Sequence, residues 1–422
     1  MSLSGAINSA ISALNAQSTA LALVSNNLAN TSTTGYKTTS ASFTSLLAGV
    51  GDATSAASGG VLATAVSNVS QQGLLTTSSV STNMAISGNG FFTVASSLDD
   101  GGGLLYTRNG EFSVDSDGYL VNNGYYLQGW ATDAEGNIVG SATSNNLTAI
   151  DTDSVATIAA PTTEMSMVAN LPADAAVGDT FTSSVEVFDS LGTAASSTVT
   201  WTKTGENTWT ATFSDPVLSS DATTAVGTVS SDPIEITFNA DGTLASTDPS
   251  PATLSITDWT TGAADSAVAI DMGDAGTATG LSQYSTGSET PTVDLVATQD
   301  GVAMGSLTGI EIGDDGTVSG VYDNGMTRAL YKIPVTTFTN DNGLLAMSGG
   351  VYQATTDSGA GTLRLSGTNG AGTIYGGQLE LSTADTNTEF ARMMAAQQAY
   401  SGAAQIVTTA KSMFDTLISA VR

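Results

Sequence analysis

The side chains able to do chemistry in this sequence are of one kind. Histidine and cysteine are absent, which excludes Ser-His-Asp and Cys-His nucleophile systems and zinc sites built on those ligands. What remains is 39 Asp and Glu residues. A pair of carboxylates on either side of a bond can hydrolyse glycosides. Here, however, the Asp and Asn residues stand before glycine, as in Asp117-Gly118, Asp241-Gly242, Asp315-Gly316 and Asn324-Gly325. At such hairpin positions tolerance of positive φ accounts for them. Asp115-Ser-Asp-Gly118 resembles part of a calcium loop. Placed as loop positions three to six, it puts Ser113 at position one and Gly124 at position twelve, where Asp and Glu are required. The motif therefore reads as a turn. Gly88-Asn-Gly90 runs into Phe91-Phe92-Thr93 and is no dinucleotide fingerprint. Phe91, Phe92, Trp130, Trp201 and Trp209 fall at alternating strand positions and read as core, not as a sugar platform. The sequence thus assigns no catalytic, cofactor-binding or metal residue, and no enzymatic activity is expected.

Charge narrows the partners. Nine basic residues against 39 acidic ones give a net charge of −30. No basic stripe exists to neutralise phosphates or an anionic membrane surface, so neither nucleic acid nor membrane is expected as a partner. Without cysteine there is no disulfide framework. No apolar run approaches the eighteen residues of a membrane span. The first basic residue is Lys37, so the start lacks the charged region of a secretory signal, and export is expected by another route.

The elements that must position everything else are the two chain ends. Met393, Ala396, Tyr400, Ala403, Val407, Ala410, Phe414, Leu417 and Val421 recur in steps of three and four. This is a heptad pattern that predicts a helix with a coiled-coil seam. Thr383 or Thr386 is its expected cap, with Asp385 and Glu389 near the positive end of the dipole. At the other end Ile7, Leu14, Leu21 and Leu28 recur every seven residues, with Ile11 among them and Leu3, Ala10 and Val24 on the adjoining stripe. That helix starts near Ser2 or Ser4 and stops in the Asn26–Asn30 region. The termini are expected to pair as antiparallel halves of one coiled coil, with the rest of the chain inserted between them.

Between the helices the period changes to two. Asn83–Val94 reads as two strands about a Gly88–Gly90 turn, Tyr106–Val121 as a hairpin and Gly124–Trp130 as a further strand. Thr198–Lys203 and Thr208–Phe213 alternate about Gly205–Asn207, and Ile234–Phe238 runs into the Asp241-Gly242 turn. The expected architecture is multidomain, with terminal helices and two mainly antiparallel all-β domains nested one inside the other. Its boundaries are 1–37 and 382–422 for the helices, 38–72 and 378–381 for linkers, 73–147 with 286–377 for a core β-domain, and 148–285 for an outer acidic β-domain. Residues 41–72 are rich in Gly, Ser and Ala and read as an irregular linker with short strands.

Asn26, Asn27, Asn30, Gly35, Tyr36 and Lys37, in Asn-Asn-Leu-Ala-Asn-Thr-Ser-Thr-Thr-Gly-Tyr-Lys, resemble the N-terminal signature of bacterial flagellar axial proteins. Phe390–Arg422 is similar to that family's C-terminal signature, around Gln398-Ala-Tyr400 and Ile406-Val-Thr-Thr-Ala410, and departs from it at Ser401-Gly402 and Lys411-Ser412. Phe43 and Leu47 match the short aromatic-x-x-x-apolar pattern that members use at the export gate. Length and the 148–285 insertion favour the hook subunit over the alternative, a distal rod protein; a secreted acidic β-rich adhesin would have no need of heptads at both ends. The resemblance implies a subunit that polymerises with itself into a curved hollow tube transmitting torque from rod to filament. It further implies an extracellular place in the flagellum and, as partners, a hook cap, the distal rod, hook-filament junction proteins, a length-control ruler and the export apparatus.

Overall fold

A computed structural model describes residues 3–48, 57–98 and 103–420. The chain begins with helix α1, Leu3–Ala29, and ends with helix α2, Thr386–Ala420. Both sequence-predicted helices form where the heptads lie. The cap of α2 is neither threonine proposed for it. Asp385 accepts the Thr388 N–H at 2.8 Å, a short acceptor that satisfies one of the first-turn donors while its charge meets the positive end of the dipole.

After α1 come strands β1, Thr39–Ala48, and β2, Ala57–Ser67, paired antiparallel from Thr39↔Ser67 to Ala48↔Ala57. This long hairpin corrects the expectation of an irregular linker over 41–72. Its Ser, Thr and Ala content hides the usual alternation, and it is held by lying along α1, where the Val61 N–H donates to Ser12 Oγ at 3.2 Å.

The rest divides into two compact units. The first falls within Met1–Ser154, Gly309–Val321 and Thr327–Arg422, the second within Val155–Thr308 and Tyr322–Met326. In the first, early and late strands interleave. Phe91–Ala95 pairs with Leu105–Thr107, Tyr125–Ala131 and Val335–Thr337; Val351–Gln353 pairs with Leu105–Thr107; and Gln378–Glu380 pairs with Leu75–Thr77. Met84–Ser87 and Phe91–Ala95 do not form the hairpin expected of them. Met84–Ser87 takes Thr373–Gly376 as its partner instead. Gly88 and Gly90, at φ 103° and 126°, redirect the chain between two sheets. Phe91 lies at the centre, edge-on to Phe338 and Tyr352 at 5.8 Å each.

The second unit has two sheets over one core. One contains the sequence-predicted pair, Ala194–Lys203 with Thr208–Phe213, continued by Ile234–Phe238 and Leu244–Asp248. The other joins Ala252–Thr257, Ser266–Asp271 and Glu164–Asn170. Trp201, Trp209 and Phe238 are buried between them. The boundaries shift from those read in sequence. Residues 286–308 belong to this unit, because Val296–Gln299 pairs with Glu164–Asn170. Residues 148–154 belong to the first, because Thr148–Ala149 pairs with Tyr125–Ala131.

The acidic turns of the second unit set its response to pH. Hydrogen bonds from the hydroxyls of Thr224 and Thr223 hold Asp221 below the usual carboxylate range, and those from Thr243 do the same for Asp241. Burial pushes Asp189 and Asp300 the other way, but hydrogen bonds from Thr261 and Thr193, and from Glu164 and Thr163, outweigh it. A carboxyl whose pKa falls on folding stabilises the fold above its unfolded value, about 3.9, and that contribution is lost as pH falls through the folded value. The unfolding temperature, followed by circular dichroism, is therefore expected to be level from pH 7 to pH 5 and to fall steeply below about pH 4. A decline already present between pH 7 and 5 would refute it.

Candidate functional site

Asn27 lies in the last turn of α1 and fastens its end. It is buried, and its amide oxygen accepts from the Thr39 N–H and the Tyr36 hydroxyl, both at 3.0 Å. Its amide nitrogen donates to the Thr39 carbonyl at 2.9 Å and to Glu389 Oε2 at 3.3 Å. All four hydrogen-bonding positions of the side chain are filled. Asn30 turns back onto the Asn26 carbonyl at 2.9 Å and takes a hydrogen bond from the Thr33 hydroxyl, closing the helix end. Burial raises the Tyr36 hydroxyl above its ordinary range, and Glu389 adds to the effect.

Eight residues after Asn27 the chain meets the β-fold at Gly35. Gly35 has φ 69°, and a Cβ there would lie 2.7 Å from the Asn109 backbone nitrogen. Both conformation and space therefore require glycine. Its N–H donates to the Glu380 carbonyl at 2.7 Å. Lys37 follows, buried, with its ammonium 2.5 Å from Glu380 Oε1 and 2.5 Å from the Gln71 carbonyl. Glu380 is fully buried and also accepts the Gly73 N–H at 2.6 Å. Arg108 approaches its other oxygen at 3.4 Å, donates to the Gly88 carbonyl at 2.7 Å and stacks over the Phe91 ring at 5.2 Å. Burial pulls both cations below their usual ranges, and Glu380 works against that pull. A single carboxylate thus joins the helix exit, two cations and the strand that leads into α2.

The helices themselves pack antiparallel. The end of α1 meets the start of α2 through Asn27 and Glu389, while Ala6 lies beside Ala410 and Met413 at the far end. The buried residues are Ala10, Ala16, Ala20, Val24 and Asn27 on α1, and Glu389, Ala396, Ala403 and Ala410 on α2. Of the expected seam, Ala396, Ala403 and Ala410 are buried and its described large residues are not. Ile7, Leu14, Leu21 and Leu28 are half-buried and Ile11 is exposed. The buried stripe of α1 is the adjoining one through Ala10 and Val24. On α2, Met393 and Val407 are half-buried, and Tyr400 and Phe414 face solvent. Alanine every seven residues lets the backbones approach closely and leaves no room between them for the large residues of each heptad. The Leu417 side chain and Val421 lie outside the described residues, as does the Leu47 side chain. Phe43, on β1, is 47% exposed.

No helix among the described residues is long and apolar enough to cross a membrane. No group of three or more metal-binding side chains occurs among them. Asp115 turns its carboxylate onto the N–H groups of Asp117 and Tyr119, as a turn residue does. Sequence reasoning missed Glu380, Arg108 and Arg392, and saw Glu389 only as a dipole charge. The scarcity of cations was the available signal, since a chain with nine bases that buries Lys37, Arg108 and Lys203 uses them for something.

The same segments are the ones that match known proteins. Residues 7–37 match the family described as flagella basal body rod protein, and 375–420 its FlgEFG C-terminal family. Residues 85–167 match the flagellar hook protein FlgE/F/G D1 domain and 141–302 the flagellar basal body protein FlaE D2 domain. Over 431 residues, all of both chains, the sequence is 34% identical to the flagellar hook protein FlgE of Rhizobium meliloti. The chain belongs to the flagellar hook protein FlgE family. The hook protein of Escherichia coli is 33% identical over 98% of this chain and 99% of its own. A crystal structure of Helicobacter pylori flagellar hook protein FlgE2 aligns at a TM-score of 0.45 and 15% identity, over 71% of this chain and 98% of that one.

In the hook family member described here, Glu380 is expected to fix the junction. Glu380→Gln removes the carboxylate paired directly with Lys37 and Arg108 and leaves only Asp341 acting on both from farther away. Breaking a buried pair in this way costs about 3–5 kcal/mol. A denaturant titration of the first unit should show that loss. A change under about 1 kcal/mol would mean that the junction tolerates the uncompensated cations.

Proposed function

We propose that the two terminal helices are the polymerising surface of this chain. The protein is a structural subunit of the bacterial flagellar hook and is located in the flagellar hook and basal body. The observation that carries the proposal is the exposed apolar surface of α2: Phe390, Met394, Tyr400, Ile406, Met413, Phe414 and Ile418 are each between 42% and 62% exposed. So many exposed large apolar side chains on one helix mark an interaction surface. Its charges do not oppose association. Leu3–Ala29 contains no charged residue, and α2 carries two acids and two bases. In this reading the helices form a coiled-coil inner wall of a hollow tube, the first unit a shell around it and the second unit the outside. The tube bends as it passes torque from rod to filament. Subunits arrive unfolded through the flagellum's own export route, without a cleaved signal, and Phe43 with Leu47 engages its gate. A cap, the distal rod, junction proteins and a length-measuring ruler are the further partners.

Electron microscopy of the purified protein tests this reading: tubes support it, and monodisperse monomers at high concentration oppose it. Ala403→Pro places a ring against the Ala399 carbonyl in the middle of the seam, at a cost of about 3 kcal/mol or more. It is expected to abolish tubes while leaving the β-sheet spectrum and melting unchanged; normal tubes would show the helix to be dispensable. The second unit holds 20 carboxylates against Lys203 alone, which is buried. Repulsion between neighbouring copies is screened once the Debye length is about 8–10 Å. Tube curvature in micrographs should therefore change between low and physiological salt, whereas tubes identical across the series would exclude an electrostatic contribution.

A further inference from the structure

Along one flank of α2 the side chains change size abruptly. In the first half the flank carries Ala395 and Ala399. With Ala20 and Val24 of α1 and Phe43 of β1 they wall an open groove of about 520 Å³. That is many times the roughly 30 Å³ share of a water molecule. Its walls are mostly apolar, and Gln17, Asn27, Thr39, Ser40, Glu389 and Arg392 are its polar lining. In the second half the same flank carries Ile406 and Met413, 52% and 55% exposed. Residues 395, 399, 402, 406, 409 and 413 follow in alternating steps of four and three, so small and large residues share one stripe. Neither large residue lines the groove of its own chain: along a rigid helix Ile406 stands about 10 Å and Met413 about 21 Å beyond Ala399.

We propose that the groove receives Ile406 and Met413 of a second copy of this chain, so that subunits stack head to tail along α2. This deepens the reading of the chain as a hook subunit and rests on it. The chain itself supplies an occupant of the right chemistry: two exposed aliphatic side chains on the stripe that the groove lines. The approach brings together helices with no net charge, so the −30 of the whole subunit does not oppose it locally. Donor and receptor are different patches. Each contact therefore leaves one of each unfilled at the two ends, and the arrangement propagates as an open helix instead of closing as a dimer.

The absence of native cysteine makes the contact directly readable. In the doubly substituted chain Ala399→Cys with Met413→Cys, the two thiols of one chain are about 21 Å apart. Disulfides need Cα atoms within about 7 Å, so the pair can bridge only between copies. Oxidised tubes of this variant are expected to run as a ladder of dimers, trimers and higher species on a non-reducing gel, while each single cysteine variant gives dimers at most. Met413→Ala is expected to raise the critical concentration for tube formation at least tenfold, with unchanged circular dichroism and melting. Tubes that form without a ladder, or Met413→Ala subunits that assemble like the unsubstituted ones, would overturn the proposal and leave the hook reading standing. Failure of the unsubstituted protein to form any tube would instead sink the hook reading. If the first cysteine pair fails to assemble, Ala395→Cys with Ile406→Cys, about 16 Å apart, asks the same question. If neither pair assembles, the Met413→Ala concentration series decides.

Discussion

Everything at the junction depends on one buried carboxylate. Glu380 holds Lys37 and Arg108 and takes the Gly73 N–H, in a site with no access to water. Desolvating three charges is expensive, and an apolar cluster of similar volume would generally be at least as stable. What a charged cluster adds is position: Lys37 and Arg108 both meet Glu380 in this one arrangement, even with Arg108 Nε left without a partner. Here that arrangement fixes where α1 leaves the β-fold and where the strand before α2 enters it. Gly35 completes it by donating to the Glu380 backbone carbonyl, at the one place where a side chain would collide with Asn109. Asn27 then transfers the constraint to the helices, since it holds β1 through Thr39 and α2 through Glu389. The two ends of the chain, more than 340 residues apart, become one joint.

How much of this was legible follows from how local each interaction is. The helix spans were, because a heptad is written within each helix. The Thr198–Lys203 and Thr208–Phe213 pair was too, because alternation and a tight turn suffice to place Trp201 and Trp209 in a core. The β1–β2 hairpin was not, because its many Ser, Thr, Ala and Gly residues break the alternation of its few large apolar ones, and it is held by lying along α1. Asn83–Val94 misled for a related reason. Two short strands about a Gly-Asn-Gly sequence imitate a hairpin, and only pairing with Thr373–Gly376, nearly 300 residues later, separates them. The motif residues Asn27, Gly35, Tyr36 and Lys37 were found as a pattern, but their partners Glu380 and Arg108 carry no local signal at all.

The seam gives a finer lesson. Periodicity located the right helices and a seam of alternating large residues and alanines, whereas among the described residues burial falls on its alanines alone. Heptad counting does not distinguish a stripe that buries volume from one that permits approach. In α2 the alanines permit approach, at Ala396, Ala403 and Ala410, and the large residues are left projecting beside them. A helix pair joined on so narrow a stripe buries little apolar area per residue, so it contributes little of the hydrophobic free energy that folding requires. Most of the apolar surface of α2 therefore remains unspent within the monomer.

The distribution of charge decides where that surface can be used. A subunit with a net charge of −30 repels its own copies, and a polymer of it must keep that repulsion away from the contacts that hold it together. The sequence does so by segregation. The 27 residues of α1 carry no charge and the 35 of α2 balance theirs, whereas the second unit places 20 acids against one buried lysine. Apolar association along helices without net charge is non-directional and nearly independent of salt. Repulsion is confined to the charged unit, where water and ions screen it. The sequence thus keeps the apolar surface and the excess charge on different parts of the chain. The joint at Glu380 is what lets the two be carried by one chain, because it sets the helices in a fixed relation to the β-fold that follows them.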